Sequence, residues 1–140
     1  MIVDGVDRPD WVRIGAMVSP DSRPASTVDV QLVSDGAHIA ATVVPTANAP
    51  RKLAAYWAVT EQRHVSAVKA GENEGATLTH DHVVRDYRPV PAWQPPMSGA
   101  SKTLQIDVPG GADPAHPRTV NFVVVDAVTG RPVQAVRLSC

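Results

Sequence analysis

The sequence predicts a mainly β domain, an antiparallel β-sandwich of about eight strands with one short N-terminal helix. From residue 27 onward, apolar and polar residues alternate in short runs, which is the period of a half-buried strand. These runs are separated by loops that contain proline or glycine. The chain holds 13 prolines in 140 residues, above the usual ~5%. Nearly all of them lie between the runs, where a missing N–H breaks no strand pairing.

The first part of the chain predicts a short strand, a turn and a brief helix. Pro9 suits the first turn of a helix, and Trp11, Ile14 and Met17 follow at three- to four-residue spacing, as on one apolar face. The next stretch has two prolines and three serines, a composition typical of a linker. The predicted domain organisation is a remnant strand and short helix at 1–18, a linker at 19–26 and a β-sandwich domain at 27–140.

The remaining runs predict the strands in order. They are placed at 27–33, 37–44, 52–60, 64–70, 82–88, 102–108, 119–127 and 133–139. Asp35-Gly36 between the first two is a strong hairpin signal. The run 119–127 is the most hydrophobic and is therefore predicted to be a central strand. Residues 89–101 contain four prolines and are predicted to be irregular.

Composition excludes several classes of protein. Thirteen basic and fourteen acidic residues give a net charge of −1, so we expect no nucleic-acid partner and no attraction to an anionic membrane. No apolar run approaches the ~20 residues of a membrane-spanning helix. The single cysteine, Cys140, excludes an internal disulfide and a zinc site built from several thiolates. The chain shows no secretory signal, so a cytoplasmic location stays open.

His80 and His82 are the residues most suggestive of chemistry. Two residues apart in a strand, they would share one face and begin a metal site, with His64 or His116 as a third ligand. The alternative is that both rings are solvated or bonded to the backbone. No G-x-S-x-G motif accompanies the serines, and no residue set forms a catalytic signature, although a small hydrolase remains a further alternative.

The stretch 67–88, AVKAGENEGATLTHDHVVRDYR, resembles a segment of the bacterial secreted thioredoxin-like family catalogued as domain of unknown function twelve-twenty-three. The matching positions are Gly71, Glu72, Asn73, Gly75, Thr77, Leu78, His80, Val83, Val84 and Arg85. The resemblance covers most of the chain but only the C-terminal half of a family member. It implies a β-sandwich and a periplasmic or secreted location. The family's Cys-x-x-Cys motif is absent, so thiol–disulfide exchange is not implied here.

The motif also has a physical interpretation of its own. Gly71 and Gly75 bracket a loop whose backbone is expected to need positive φ. Asn73 is suited to hydrogen-bond the turn backbone, and Arg85 is placed to pair with Glu72 or Glu74. The loop either fixes strand register or presents a surface to a ligand or partner.

These observations together predict a non-catalytic accessory module, a small extracytoplasmic subunit that binds another protein chain. The candidate interface consists of Trp11, Ile14, Met17 and Trp93, because exposed apolar patches mark interfaces. Gly71, Glu72, Asn73, Gly75 and Arg85 form the candidate motif loop. No cofactor is expected. The alternative function is metal binding through His80, His82 and His64.

Overall fold

The computed structural model describes residues 2–3, 6–7, 25–97, 99–111 and 113–140. The strands are β1 (Ile2–Val3), β2 (Val6–Asp7), β3 (Val28–Asp35), β4 (His38–Pro45), β5 (Leu53–Glu61), β6 (His64–Ala67), β7 (Thr77–His80), β8 (Val83–Trp93), β9 (Lys102–Asp107), β10 (Arg118–Asp126) and β11 (Pro132–Ser139). Within these ranges the chain forms no helix, and hence none long and apolar enough to cross a membrane. The predicted N-terminal helix lies outside the described residues.

All strand pairings are antiparallel, as predicted. One sheet has the order β11-β10-β5-β8 and a second the order β3-β4-β9, while β1-β2 and β6-β7 are two-stranded. The most hydrophobic run forms β10, an inner strand of the larger sheet, which confirms its predicted central place. The predicted β3–β4 hairpin is confirmed; Asp35 still pairs with His38, so the turn itself is Gly36-Ala37, with φ of 60° at Gly36.

One cluster of buried hydrophobic side chains draws on strands of both larger sheets. Its members are Val28, Ile39, Ala41, Val43, Leu53, Ala55, Trp57, Val59, Ile106, Val108, Val120, Phe122 and Val124. Every second residue is buried in β4, in β5 as far as Val59, and in the middle of β10, because successive side chains of a strand point to opposite faces. Phe122 and Trp57 anchor the cluster with ring centroids 4.4 Å apart. Complete burial of a side chain such as Phe122 contributes about 1.5–3 kcal/mol.

The prediction that residues 89–101 are irregular is wrong for residues 89–93, because β8 continues to Trp93. Pro89 lies opposite Tyr56 of β5. A proline is compatible with a strand that has a neighbour on one side only, because its nitrogen can face away from that neighbour. β8 is such an edge strand of its sheet.

Strands β5 to β8 form one long, interrupted hairpin. Only Gln62 and Arg63 separate β5 from β6, and only Asp81 and His82 separate β7 from β8. The two-stranded part, β6 and β7 with their connecting loop 68–76, is called the arm here. Apart from the pairing of β6 with β7, the arm has no extensive contact with other strands of the described chain. It therefore projects from the larger sheet as a separate feature.

Candidate functional site

A buried carboxylate lies at the base of the arm. Glu61 is the last residue of β5 and lies two positions after Val59 in a strand that pairs with β10 without a register shift, so its side chain lies on the same face as Val59 and Trp57. The residue is only 8% exposed. A buried charge is tolerated only where it is paired and hydrogen-bonded.

Glu61 pairs with three side chains from three different strands, two through hydrogen bonds and one through an ion pair. Arg118 Nη2 donates to Oε1 at 2.8 Å, and His64 Nε2 lies 3.0 Å from Oε2. Arg85 Nε lies 3.3 Å from Oε2. The hydrogen bond from Arg118 holds the pKa of the Glu61 carboxyl below its usual value; burial opposes this, and His64 and Arg85 add to it. The carboxylate is therefore ionised and well satisfied, which makes it a poor acceptor of a substrate proton at neutral pH.

Glu61, Arg118, His64 and Arg85 are together called the polar centre here. The polar centre also contacts the loop before β10. Arg118 Nη1 donates to the carbonyls of Pro109 and Gly110, at 3.2 Å and 3.3 Å. His116 stacks on His64 with centroids 4.2 Å apart and planes within 2°. Its Nδ1 lies 3.1 Å from the Gln62 carbonyl, so that nitrogen carries the proton and donates. The loop, β5 and the arm thus meet at one point.

The bend between the larger sheet and the arm uses unusual backbone conformations. Arg63 and His82 have φ of 60° and 56°, the left-handed region that is uncommon for residues other than glycine. Side chains replace the interrupted pairing: Asp81 Oδ1 accepts from Arg63 N at 2.9 Å, and Gln62 Oε1 accepts from His82 N at 3.3 Å. Such conformations persist where the surroundings determine them strongly, so the direction of the arm is defined by these contacts.

The arm itself carries exposed hydrophobic side chains. Val65 is 65% exposed and Leu78 is 43% exposed. At the tip, Gly71 and Gly75 have φ of 91° and 85°, as predicted from the sequence. Backbone hydrogen bonds close the loop: Gly75 N donates to the Val68 carbonyl, and Val68 N donates to the Ala76 carbonyl, each at 2.9 Å.

The candidate motif residues are separated in space by the length of the arm. Gly71, Glu72, Asn73 and Gly75 form the exposed tip, whereas Arg85 lies at the base. Arg85 pairs with Glu61, so the predicted pair with Glu72 or Glu74 is wrong. Arg85 reaches Glu61 because of a β-bulge. Val59 pairs with Asp86 and Thr60 with Val84, so Arg85 is the extra residue in β8 at this point.

The candidate metal ligands have separate partners. His64 bonds Glu61, His80 Nε2 lies 2.7 Å from Ser66 Oγ, and His82 Nδ1 accepts from Gln62 Nε2 at 3.0 Å. Among the described residues, no group of three or more His, Cys, Asp or Glu side chains is arranged to hold a metal ion. The metal alternative stays a prediction that no geometry here favours.

Of the four candidate interface residues, Trp11, Ile14 and Met17 lie outside the described residues. Trp93 is half-buried and packs against the core, and its indole N–H is buried with no partner among the described atoms. Lys102 Nζ lies 5.7 Å from its ring centroid.

Sequence reasoning missed Glu61 and Arg118, the central pair of the site. A signal for Glu61 exists: it is the next residue, at a spacing of two, after Leu53, Ala55, Trp57 and Val59, and a charge on the buried face of a strand needs a partner. Arg118 is 57 residues further along the chain. Its role emerges only from the pairing of β10 with β5.

Residues 1–125 match the model of the family described as Protein of unknown function (DUF1223). The chain belongs to this family.

Comparison with curated proteins gives no match. Two solved structures are similar. The first is a structural-genomics crystal structure of an Agrobacterium tumefaciens protein, 17% identical with a TM-score of 0.49, over 91% of this chain and 49% of that one. The second is the Pseudomonas fluorescens alkylpurine DNA glycosylase AlkC bound to DNA containing an abasic site analog, 16% identical with a TM-score of 0.34, over 81% of this chain and 30% of that one. The chain thus spans about half the length of the Agrobacterium protein or less than a third of the glycosylase.

Proposed function

We propose that this protein is a non-catalytic accessory module that binds another protein through the arm and the adjoining part of β8. The observation that carries the proposal is the position of its exposed hydrophobic side chains. Seven large ones are exposed among the described residues, and four of them, Val65, Leu78, Val84 and Tyr87, belong to β6, β7 and β8. Val65 and Leu78 lie on opposite faces of the arm, because Val65 pairs with Thr79 and Leu78 pairs with Ser66. Apolar side chains exposed on both faces of a projecting hairpin, and on the strand that continues it, are typical of an interaction surface.

The base of the arm suits it to this role. Glu61, Arg118 and His116 tie the bend to β5 and to the loop before β10. A partner surface that is held in place before binding loses less conformational entropy when the partner arrives. The polar centre therefore acts as the support of the binding surface.

The proposed architecture is a β-sandwich. In support, the buried cluster takes Ile39, Val43 and Ile106 from the three-stranded sheet and Trp57 and Phe122 from the four-stranded one. Two antiparallel sheets that share one apolar core are the definition of this class. The proposed location is periplasmic or secreted, within a larger assembly, and it rests on the resemblance of residues 67–88 to a family of secreted thioredoxin-like proteins.

The test is a tagged purification from the native host after mild cross-linking. The variant Val65→Ser/Leu78→Ser removes both exposed hydrophobic side chains of the arm. Val33→Ser/Val128→Ser is a matched control, because Val33 and Val128 are 56% and 80% exposed but lie on other parts of the surface. We expect the wild type and the control to recover a partner in stoichiometric amount. The arm variant should recover about tenfold less of that partner.

Two results would contradict the proposed function. One is a wild-type protein that is recovered as a lone monomer after cross-linking. The other is an arm variant that retains as much partner as the control does.

A further inference from the structure

We propose that the outer edge of β8, from Val83 to Tyr87, accepts an extended acidic segment of another protein as an added strand. This inference rests on the proposed interaction function and specifies its binding mode. Addition of a peptide strand to a sheet edge is a recurring mode of recognition, in which backbone bonds give affinity and alternate side chains give specificity.

The edge is long and has one neighbour. β8 has eleven residues, is the last strand in the order β11-β10-β5-β8, and pairs only with β5 among the described strands. An unpaired edge of this length presents backbone N–H and C=O groups that can pair with another chain.

The register identifies which groups face outward. Pro89 lies opposite Tyr56 and lacks an N–H, so this pair cannot be one that exchanges hydrogen bonds with β5. Such pairs alternate along an antiparallel ladder, and the register between Tyr56 and Val59 is regular. The N–H and C=O of Tyr87, opposite Ala58, therefore point away from β5. Beyond the bulge, Val84 lies opposite Thr60, two positions after Ala58 on β5. The N–H and C=O of Val84 therefore also point away from β5.

Two prolines limit the edge on one side. Pro89 and Pro91 are part of β8, and proline on an edge strand prevents further pairing because it offers no N–H. The open part of the edge is therefore the segment from Val83 to Tyr87. This segment adjoins the base of the arm.

The two faces of this segment differ in chemistry. Val84 and Tyr87 are 58% and 57% exposed, and Tyr87 contacts Tyr56 with ring centroids 5.4 Å apart, which makes one face apolar. Arg85 turns the other way, toward Glu61. A strand that alternates apolar and acidic residues would match both faces.

Arg85 is the cation with donors to spare. Glu61 is already satisfied by Arg118 at 2.8 Å and by His64 at 3.0 Å, whereas Arg85 lies at 3.3 Å and its side chain is 56% exposed. The neighbouring Arg88 is bound to Asp86 at 2.7 Å. A planar guanidinium with free N–H groups is suited to bind a carboxylate. Charge complementarity therefore selects an acidic segment over a basic one.

A second copy of β8 is a poor occupant of the edge. An antiparallel alignment of two copies about Tyr87 sets Pro89 of one opposite Arg85 of the other, so the ladder ends after the central pair. An alignment about Arg85 places two guanidinium groups side by side, and like charges directly opposite each other are destabilising.

The probe is a phage-displayed library of random twelve-residue peptides, selected on the purified full chain. We expect the recovered sequences to alternate β-branched or aromatic residues with Asp or Glu. The strongest binder is then synthesised, and its affinity for the wild type and the variants is measured by fluorescence anisotropy.

Two variants separate the backbone from the side chain. Tyr87→Pro and Tyr87→Ser both remove the aromatic ring, but only the first removes the N–H. We expect Tyr87→Pro to weaken peptide binding about tenfold more than Tyr87→Ser does, since a lost bond leaves the peptide carbonyl unpaired. Two versions of the peptide, N-methylated at the odd or at the even positions, test the same bonds without changing the protein. We expect only one of these two methylation phases to abolish binding, namely the one that removes the N–H groups facing β8.

Charge selection is tested at Arg85. We expect Arg85→Gln to weaken the acidic peptide about tenfold and Arg85→Lys to restore part of the affinity. A peptide whose acidic residues are changed to Gln should bind wild type and Arg85→Gln equally.

The outcomes separate this inference from the proposed function. Failure to enrich any peptide, enrichment that is unchanged on Tyr87→Pro, or binding that tolerates both methylation phases would overturn strand addition. Dimerisation of the wild type that Tyr87→Pro abolishes would replace the acidic segment with a second copy. In the native-host purification, a partner that Tyr87→Pro retains and Val65→Ser/Leu78→Ser loses would overturn strand addition but leave the interaction function standing.

Discussion

Replacing Glu61 with glutamine tests whether the polar centre holds the base of the arm. Glu61→Gln keeps the shape of the side chain and one carbonyl oxygen but removes the charge that Arg118 and His64 share. A hydrogen bond to a charged group contributes about 1.5–3 kcal/mol and a neutral one about 0.5–1.5 kcal/mol. The Glu61 and Arg118 side chains are only 11% and 19% exposed, so solvent screens them little. Arg85 is 56% exposed and adds little.

The expected cost of Glu61→Gln is about 2–3 kcal/mol of the free energy of unfolding, equivalent to a Tm lower by roughly 10 °C. Urea unfolding followed by tryptophan fluorescence is a suitable assay, because Trp57 is 2% exposed in the core. Glu74→Gln is the matched control, because Glu74 is an exposed residue of the arm tip. Its effect should stay within about 0.5 kcal/mol.

The pH dependence gives the same test a second readout. The pKa of Glu61 is lowered in the folded protein from its ordinary value of 4.5, chiefly by the Arg118 hydrogen bond. A carboxyl whose folded pKa is depressed stabilises the protein fully above the unfolded value and loses that contribution as pH falls through the folded one. The difference between wild type and Glu61→Gln should therefore be constant near pH 7 and shrink below about pH 4.5. A Glu61→Gln cost no larger than that of Glu74→Gln, or a difference unchanged down to pH 3, would refute the reasoning.

Two further substitutions test the backbone of the arm and the packing of the edge strand. Gly71→Ala should raise the hydrogen-exchange rate of the Val68 and Gly75 amides severalfold, because φ of 91° costs a residue with a side chain about 1–2 kcal/mol. Gly111→Ala is the control, because its added Cβ also meets nothing within 4 Å but its φ is not positive. It should leave those exchange rates unchanged. Trp93→Phe should change the free energy of unfolding by less than about 1 kcal/mol, because loss of packing is offset by removal of a buried N–H that has no partner. A cost above about 2 kcal/mol in urea unfolding would show that the indole nitrogen is satisfied.

The features that the sequence predicted are local ones. Alternation placed β3, β4, β5, β9 and β10 because the burial of one face imposes a period of two on the strand itself. The positive φ at Gly71 and Gly75 followed from a loop bracketed by glycines. Each of these inferences needed only residues a few positions apart.

The features that it did not predict depend on partners distant in the chain. The extension of β8 through Pro89 and Pro91 depends on β8 being an edge strand, a property of the sheet order. The ion pair of Glu61 with Arg118 spans 57 residues and forms because β10 pairs with β5 in a register that sets these two residues opposite each other. Alternation defines the face of a residue, whereas only the register defines its neighbour.

The two arginines that pair with Glu61 differ in burial, and this difference predicts separate effects on stability and on the proposed binding. Arg118 is mostly buried and donates to Glu61 and to two backbone carbonyls, so its removal would leave the buried Glu61 carboxylate without its shortest hydrogen bond. Arg85 is exposed, makes the longest of the Glu61 contacts and lies beside the open backbone of β8. Substitution of Arg118 should therefore destabilise the fold, whereas substitution of Arg85 should leave stability nearly unchanged and alter the preference for acidic segments. The same carboxylate thus pairs with one arginine that supports the fold and with a second, exposed arginine that is available for the proposed binding.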